Sequence, residues 1–166
     1  AYQTLLEVSR EVQSEGWCFN TEEHYEMKPD SSYQIDIPNN VLQIDLHKNT
    51  ANAAKNVIRR NGKLYDKQNH TFDWKDGSIE VDVVWLFDWI DLPRPVQDYI
   101  TARSSTITSS RIIGDGNLYQ MLQQKESYMR AMALEYECNQ GDHSFFGKPV
   151  GGHSYISYEP YKALIR

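Results

Sequence analysis

The sequence predicts an α+β fold: an antiparallel β meander packed beside a bundle of amphipathic helices, with an extended C-terminal arm. Three observations carry this. Ile79, Val81, Val83, Trp85 and Phe87 alternate with Glu80 and Asp82, the period of a half-buried strand. At Pro93 that period gives way to spacings of three and four, so mostly β chain precedes this point and helix follows it up to Gly141. Between the candidate strands no apolar helical period is long enough to cross over a parallel pair. The organisation read from this is one domain over residues 1–141 (helix 1–15, mostly β over 17–88, helical over 94–140) and an extended C-terminal arm over 142–166.

In chain order, Leu5, Val8 and Val12 share one face of a first helix, which Gly16 ends. Nothing ahead of Ala1 can cap that helix, so the natural protein is expected to begin earlier. Trp17, Phe19, Tyr25 and Met27 predict an extended segment, Tyr33, Ile35 and Ile37 a second and Leu42, Ile44 and Leu46 a third, with a polar loop after His47. Val57–Arg60, Asn61-Gly62 and Lys63–Asp66 form the clearest hairpin, because Asn-Gly supplies the two positive φ angles of a type I′ turn. Phe72 and Trp74 before Asp76-Gly77 predict a second hairpin with the strand from Ile79. From Val84 both faces of that strand are apolar, which places it centrally in its sheet.

Leu92-Pro-Arg-Pro95 opens the helical half, since proline suits a first turn. Val96, Ile100 and Ile107 mark its apolar side, and the Ser- and Thr-rich run 104–110 predicts a weak end. After Gly114-Asp-Gly116, Asn117 and Gln120 resemble a capping pair. Leu118, Met121, Leu122, Met129, Met132 and Tyr136 then form the apolar side of a second long helix, facing either its own core or another subunit. The arm carries Phe145, Phe146, Tyr155, Tyr158 and Tyr161 among several Gly and Pro residues. A solvated tail this aromatic would be sticky, so these five are the candidate assembly residues.

The 166 residues suffice for one core, and their net charge of −6 comes with no basic block, which excludes a surface that binds nucleic acid by neutralising phosphates. No membrane span and no signal peptide are expected. Cys18 and Cys138 are too few for a disulfide framework and read as reduced core or interface residues. His143 and His153, near Asp142, fall short of the ligand set zinc requires, so no metal or other cofactor is expected. Glu22, Glu23 and Glu26, or Asp88 and Asp91, are the candidate carboxylates of a glycosidase, but they lie where solvated carboxylates normally sit. No nucleophile elbow is present, and Gly147-Lys-Pro149 lacks the rest of a P-loop.

Four segments in order resemble tail tubular protein A of short-tailed bacteriophages, the head-to-tail adaptor family. They are Glu15-Gly-Trp-Cys-Phe-Asn-Thr-Glu-Glu23; Arg60-Asn-Gly-Lys-Leu-Tyr-Asp66; the junction through Val81–Leu86, Asp88–Pro93 and Tyr99-Ile-Thr-Ala-Arg103; and Ala133-Leu-Glu-Tyr-Glu137. A further N-terminal helical segment of the family is absent, and the chain beyond Gly141 matches poorly. The resemblance implies a non-enzymatic virion protein of the tail, assembled in the host cytoplasm. It also implies a ring of twelve between the portal protein and the tail nozzle protein, with DNA passing through the lumen without specific binding. The competing expectations are a tail-associated polysaccharide hydrolase and a monomeric binding module.

Overall fold

The computed structural model describes residues 1–47, 55–75 and 77–141, and the backbone of two short strands at 149–150 and 154–155. Helix α1 (Tyr2–Gln13) leads into β1 (Thr21–Met27), β2 (Val41–Leu46), β3 (Val57–Arg60), β4 (Lys63–Asp66) and β5 (Ile79–Trp85). A 3₁₀ turn (Trp89–Asp91) joins β5 to α2 (Arg94–Ile112) and α3 (Gly116–Gln140), and β6 (Pro149–Val150) pairs antiparallel with β7 (Ser154–Tyr155). The fold is α+β with antiparallel strands throughout.

The strand order differs from a meander. β5 lies between β1 and β2, with Met27 opposite Ile79 and Leu46 opposite Val81, while β3 and β4 form a separate hairpin. β5 is therefore central, as its two apolar faces require, and Ile79, Val81 and Val83 are sealed among Ile35, Leu64 and Trp74. With both its edges taken, it leaves no place for the second hairpin expected at Phe72 and Trp74. That segment turns back instead: Thr71 bridges Asp66, and Trp74 donates its main-chain N–H to Tyr33 and its indole N–H to Leu64 O. The segment expected as a strand at Tyr33–Ile37 makes a single bridge, Asp36 to Lys63, before Pro38 removes a donor.

The other differences are local. Trp17–Asn20 is a turn, closed by the Asn20 N–H on Trp17 O, so the strand expected from Trp17 begins only at Thr21. α2 runs unbroken to Ile112 through the Ser- and Thr-rich run, where Ser104, Ser105 and Thr106 each satisfy a hydroxyl on the carbonyl four residues back. The cap of α3 is Asp115, whose carboxylate accepts the Asn117 and Leu118 N–H groups; the pair Asn117 and Gln120 does not cap it.

Two apolar clusters result. One fills the space around the sheet. The other gathers Val8, Val12, Trp17, Leu92, Val96, Tyr99, Ile100 and Ala133 where α1, α2 and α3 meet. Phe87 packs against both. Two fully buried amides join the clusters. Asn20 donates to Gln13 O at 2.9 Å and Trp85 O at 2.8 Å, and accepts the Trp17 N–H at 2.8 Å. The Gln13 side chain accepts the Phe87 N–H at 2.8 Å and donates to Phe87 O at 3.2 Å.

Replacing Asn20 by Ala strands a buried donor and two carbonyls, so it should cost about 2–4 kcal/mol, read from the urea midpoint. In the β3–β4 turn Asn61 and Gly62 have φ of 53° and 74°, and a Cβ on Gly62 would meet nothing within 4 Å. Gly62→Ala should then cost only the backbone term, about 1 kcal/mol in the same measurement.

Candidate assembly surface

The aromatic candidates Phe145, Phe146, Tyr158 and Tyr161 lie outside the described residues, as do Asp142, His143 and His153; for Tyr155 only the backbone position opposite Pro149 is described. The candidate carboxylates fall into two separate places. Glu22, Glu23 and Glu26 lie on the edge strand β1, where Glu22 accepts the Trp85 indole N–H at 3.0 Å and Glu26 pairs with Lys28. Asp88 and Asp91 flank and end the 3₁₀ turn beyond β5. Among the described residues no three His, Cys, Asp or Glu side chains are grouped to hold a metal ion, and no helix is long and apolar enough to cross a membrane.

What the helices do present is apolar surface. On α3, Leu118, Leu122, Met129 and Tyr136 turn partly inward and Ala133 is buried, but Met121 and Met132 of the expected core stripe do not. Met121, Tyr128 and Met132, spaced by seven and four and so aligned along the helix, are 69 %, 62 % and 40 % exposed. Tyr2, Ile112 and Ile113 extend this surface around the end of the helical layer. There α1, α2 and α3 enclose an open groove of about 490 Å³. A second hollow of about 740 Å³ lies between α1 and the turn after β5, bounded by Leu6, Phe87 and Trp89.

The opposite side of the helical layer is polar and already paired. Glu7 and Glu11, four residues apart on α1, and Glu15 in the turn just after it form one stripe. They meet Arg111 at 3.7 Å, Arg103 at 2.6 Å and Arg130 at 3.3 Å. Arg103 also reaches Glu126, and Arg130 donates to the Tyr99 hydroxyl. These arginines line a hollow of about 380 Å³, but their charges are met by glutamates, so it is no anion site. The Glu repeat was readable in the sequence; its arginine partners, drawn from two helices, were not.

Cys18 and Cys138 are free thiols, half-buried and exposed respectively, so Cys138 is no core residue. The Glu137 carboxylate accepts the Cys18 main-chain N–H through both oxygens, at 2.8 and 3.0 Å, tying α3 to the start of the β region. Burial, reinforced by the hydrogen bond and the negative charge of Glu137, pushes the Cys18 thiol up to about 11.

A sheet buttressed by three helices, with apolar helical faces on the outside, defines a structural subunit as a class. The family model for the tail tubular protein matches residues 1–143, and the chain belongs to that family of structural phage tail components. Every helix and the five strands up to β5 fall inside the match, and residues 144–166 fall outside it. No curated protein matches the chain.

At pH 8 a thiol titrating near 11 is thiolate to about one part in a thousand, so Cys18 should be alkylated by iodoacetamide far more slowly in the native than in the unfolded chain. Glu137→Gln removes the negative charge, lets the thiol titrate lower and should speed the reaction. An unchanged rate in a folded variant would contradict this account.

Proposed function

We propose that this chain is the subunit of a head-to-tail connector: a ring, of twelve copies by the resemblance, seated between the portal and the tail nozzle protein, through which DNA passes at ejection. The observation that carries the reading is the family match over residues 1–143. Two properties of the chain support it. Exposed apolar residues on α1, α2 and α3 are the surface an assembling subunit needs. The net charge of −6 without a basic block suits a passage that must not hold DNA by its phosphates. The chain works as a structural part and not as an enzyme. Its place is the virion tail, after assembly in the host cytoplasm.

The C-terminal arm, with Phe145, Phe146, Tyr155, Tyr158 and Tyr161, contributes to assembly on this reading. Burying each such ring is worth about 1.5–3 kcal/mol.

Sedimentation velocity over a range of concentrations, alone and with purified portal, tests the proposal: ring-sized species are expected, and a monomer under all conditions would refute it. A chain ending at Gly141 should keep its far-UV spectrum and lose most of that association; loss of the spectrum would instead make the arm part of the subunit's own core. Single amide replacements at Glu22, Glu23, Glu26, Asp88 and Asp91 should leave association intact. Loss of a glycan-cleaving activity in one of them, with the fold retained, would reverse the assignment in favour of a hydrolase.

A further inference from the structure

The β region has two outer faces on opposite sides of its core, and they differ in charge. Ile79, Val81 and Val83 of β5 point into the apolar cluster, so alternation sends Glu80 and Asp82 to the far face of the sheet. There Glu80 lies opposite Glu26 of β1, and Asp82 lies opposite Asp45 of β2. Both are like-charge cross-strand pairs, which destabilise a sheet. Lys28 reaches Glu26 at 3.7 Å, and the His24 and His47 rings lie against Glu80 and Asp82 at 3.1 and 2.8 Å. Asp45 makes no ion pair among the described residues; its carboxylate accepts the Leu46 N–H. The side chains of Glu26 and Glu80 are 52 % and 48 % exposed, so this face is open.

The hairpin presents the opposite charge on the opposite side. Val57 and Leu64 point into the same cluster. Ile58 and Arg60 of β3, paired with Tyr65 and Lys63 of β4, therefore face away from the sheet. The Arg60 guanidinium lies over the Tyr65 ring, exposed Lys67 follows at the end of β4, and Ile58 is exposed opposite Tyr65. Asp36 lies 3.6 Å from Lys63, but Arg60 and Lys67 have no carboxylate partner among the described residues.

We propose that the acidic face of the sheet docks the basic hairpin of a second copy of this chain. The inference rests on the reading that the chain forms a ring, and names the contact that repeats around it. Such a contact is heterologous: two different faces of each subunit are used, one toward each neighbour. In a ring of twelve, successive copies are turned about 30° from one another, so the two faces must lie nearly opposite each other. These two do, with the apolar cluster between them. The docked hairpin brings Arg60 and Lys67 to the opposed carboxylates of the sheet, with Ile58 as the apolar part of the contact. Like faces repel, so hairpin cannot pair with hairpin nor sheet with sheet, which fixes the direction of assembly.

The test reverses each face in turn. One variant carries Arg60→Glu and Lys67→Glu; the other carries Asp45→Lys and Glu80→Lys. None of these four side chains belongs to either apolar cluster, and each new lysine lands opposite a carboxylate. By sedimentation velocity at about 0.05 M salt, each variant should associate with itself about a hundredfold more weakly than the unaltered chain, roughly tenfold per reversed charge. An equal mixture of the two should recover association, because every acidic face then meets a basic one. If either variant loses its far-UV spectrum, the milder pairs Arg60→Ser with Lys67→Ser and Asp45→Asn with Glu80→Gln should each weaken association about tenfold. Folded variants that associate as the unaltered chain does, or a mixture that stays dissociated, would overturn the proposal and leave the ring reading standing. A hairpin variant that associates normally but loses binding to duplex DNA held by the unaltered chain would overturn it by making nucleic acid the hairpin's partner. An unaltered chain that stays monomeric with and without portal would overturn both.

Discussion

The structure depends on two buried amides. Asn20 sits at the entry to the sheet and Gln13 at the end of α1, and both are shielded from water. Between them they satisfy main-chain groups of Gln13, Trp17, Trp85 and Phe87, from parts of the chain more than sixty residues apart. Neither apolar cluster can orient the other, because hydrophobic contact is non-directional. Hydrogen bonds to main-chain atoms are directional, and in a dry site they are expensive to leave unmade. The amides thus hold the end of β5 against α1, and from that junction the chain turns through Leu92 and Pro93 into the helical layer.

With this junction set, the packing of the helices follows. Small side chains on α2 (Ala102, Ser104, Thr106 and Ser109 are all buried) allow α1 and α3 to approach it on its two sides. Glu7 and Glu11 of α1 and Glu15 just after it then meet arginines from α2 and α3 on one side of the layer. On the other side no such pairing between helices occurs among the described residues, and Met121, Tyr128 and Met132 are exposed beside the groove. This division of one side already charge-paired and one side apolar is what a subunit of a larger tail structure requires, since the apolar side can be buried without stranding charges.

The sequence by itself determined the class of fold and much of its detail. The alternation around Val81 set a buried central strand, and Asn61-Gly62 set the hairpin turn. Prolines 93 and 95 set the start of the first long helix, and the ordered motifs pointed to the tail tubular family that the match over residues 1–143 establishes. These are local signals, in which a residue's own backbone preference or the period of its neighbours suffices. Only the tertiary structure decided the strand order, because an alternating strand does not say which two partners will take its edges, and it decided that Trp74 would be a core plug and not a strand residue. It also separated Leu122 from Met121 and Met129 from Met132, turning one of each pair toward α2 and leaving the other in the open. Period alone could not do this: it shows that a helix has an apolar side, while the width of that side covered by a neighbour depends on crossing geometry that distant residues set.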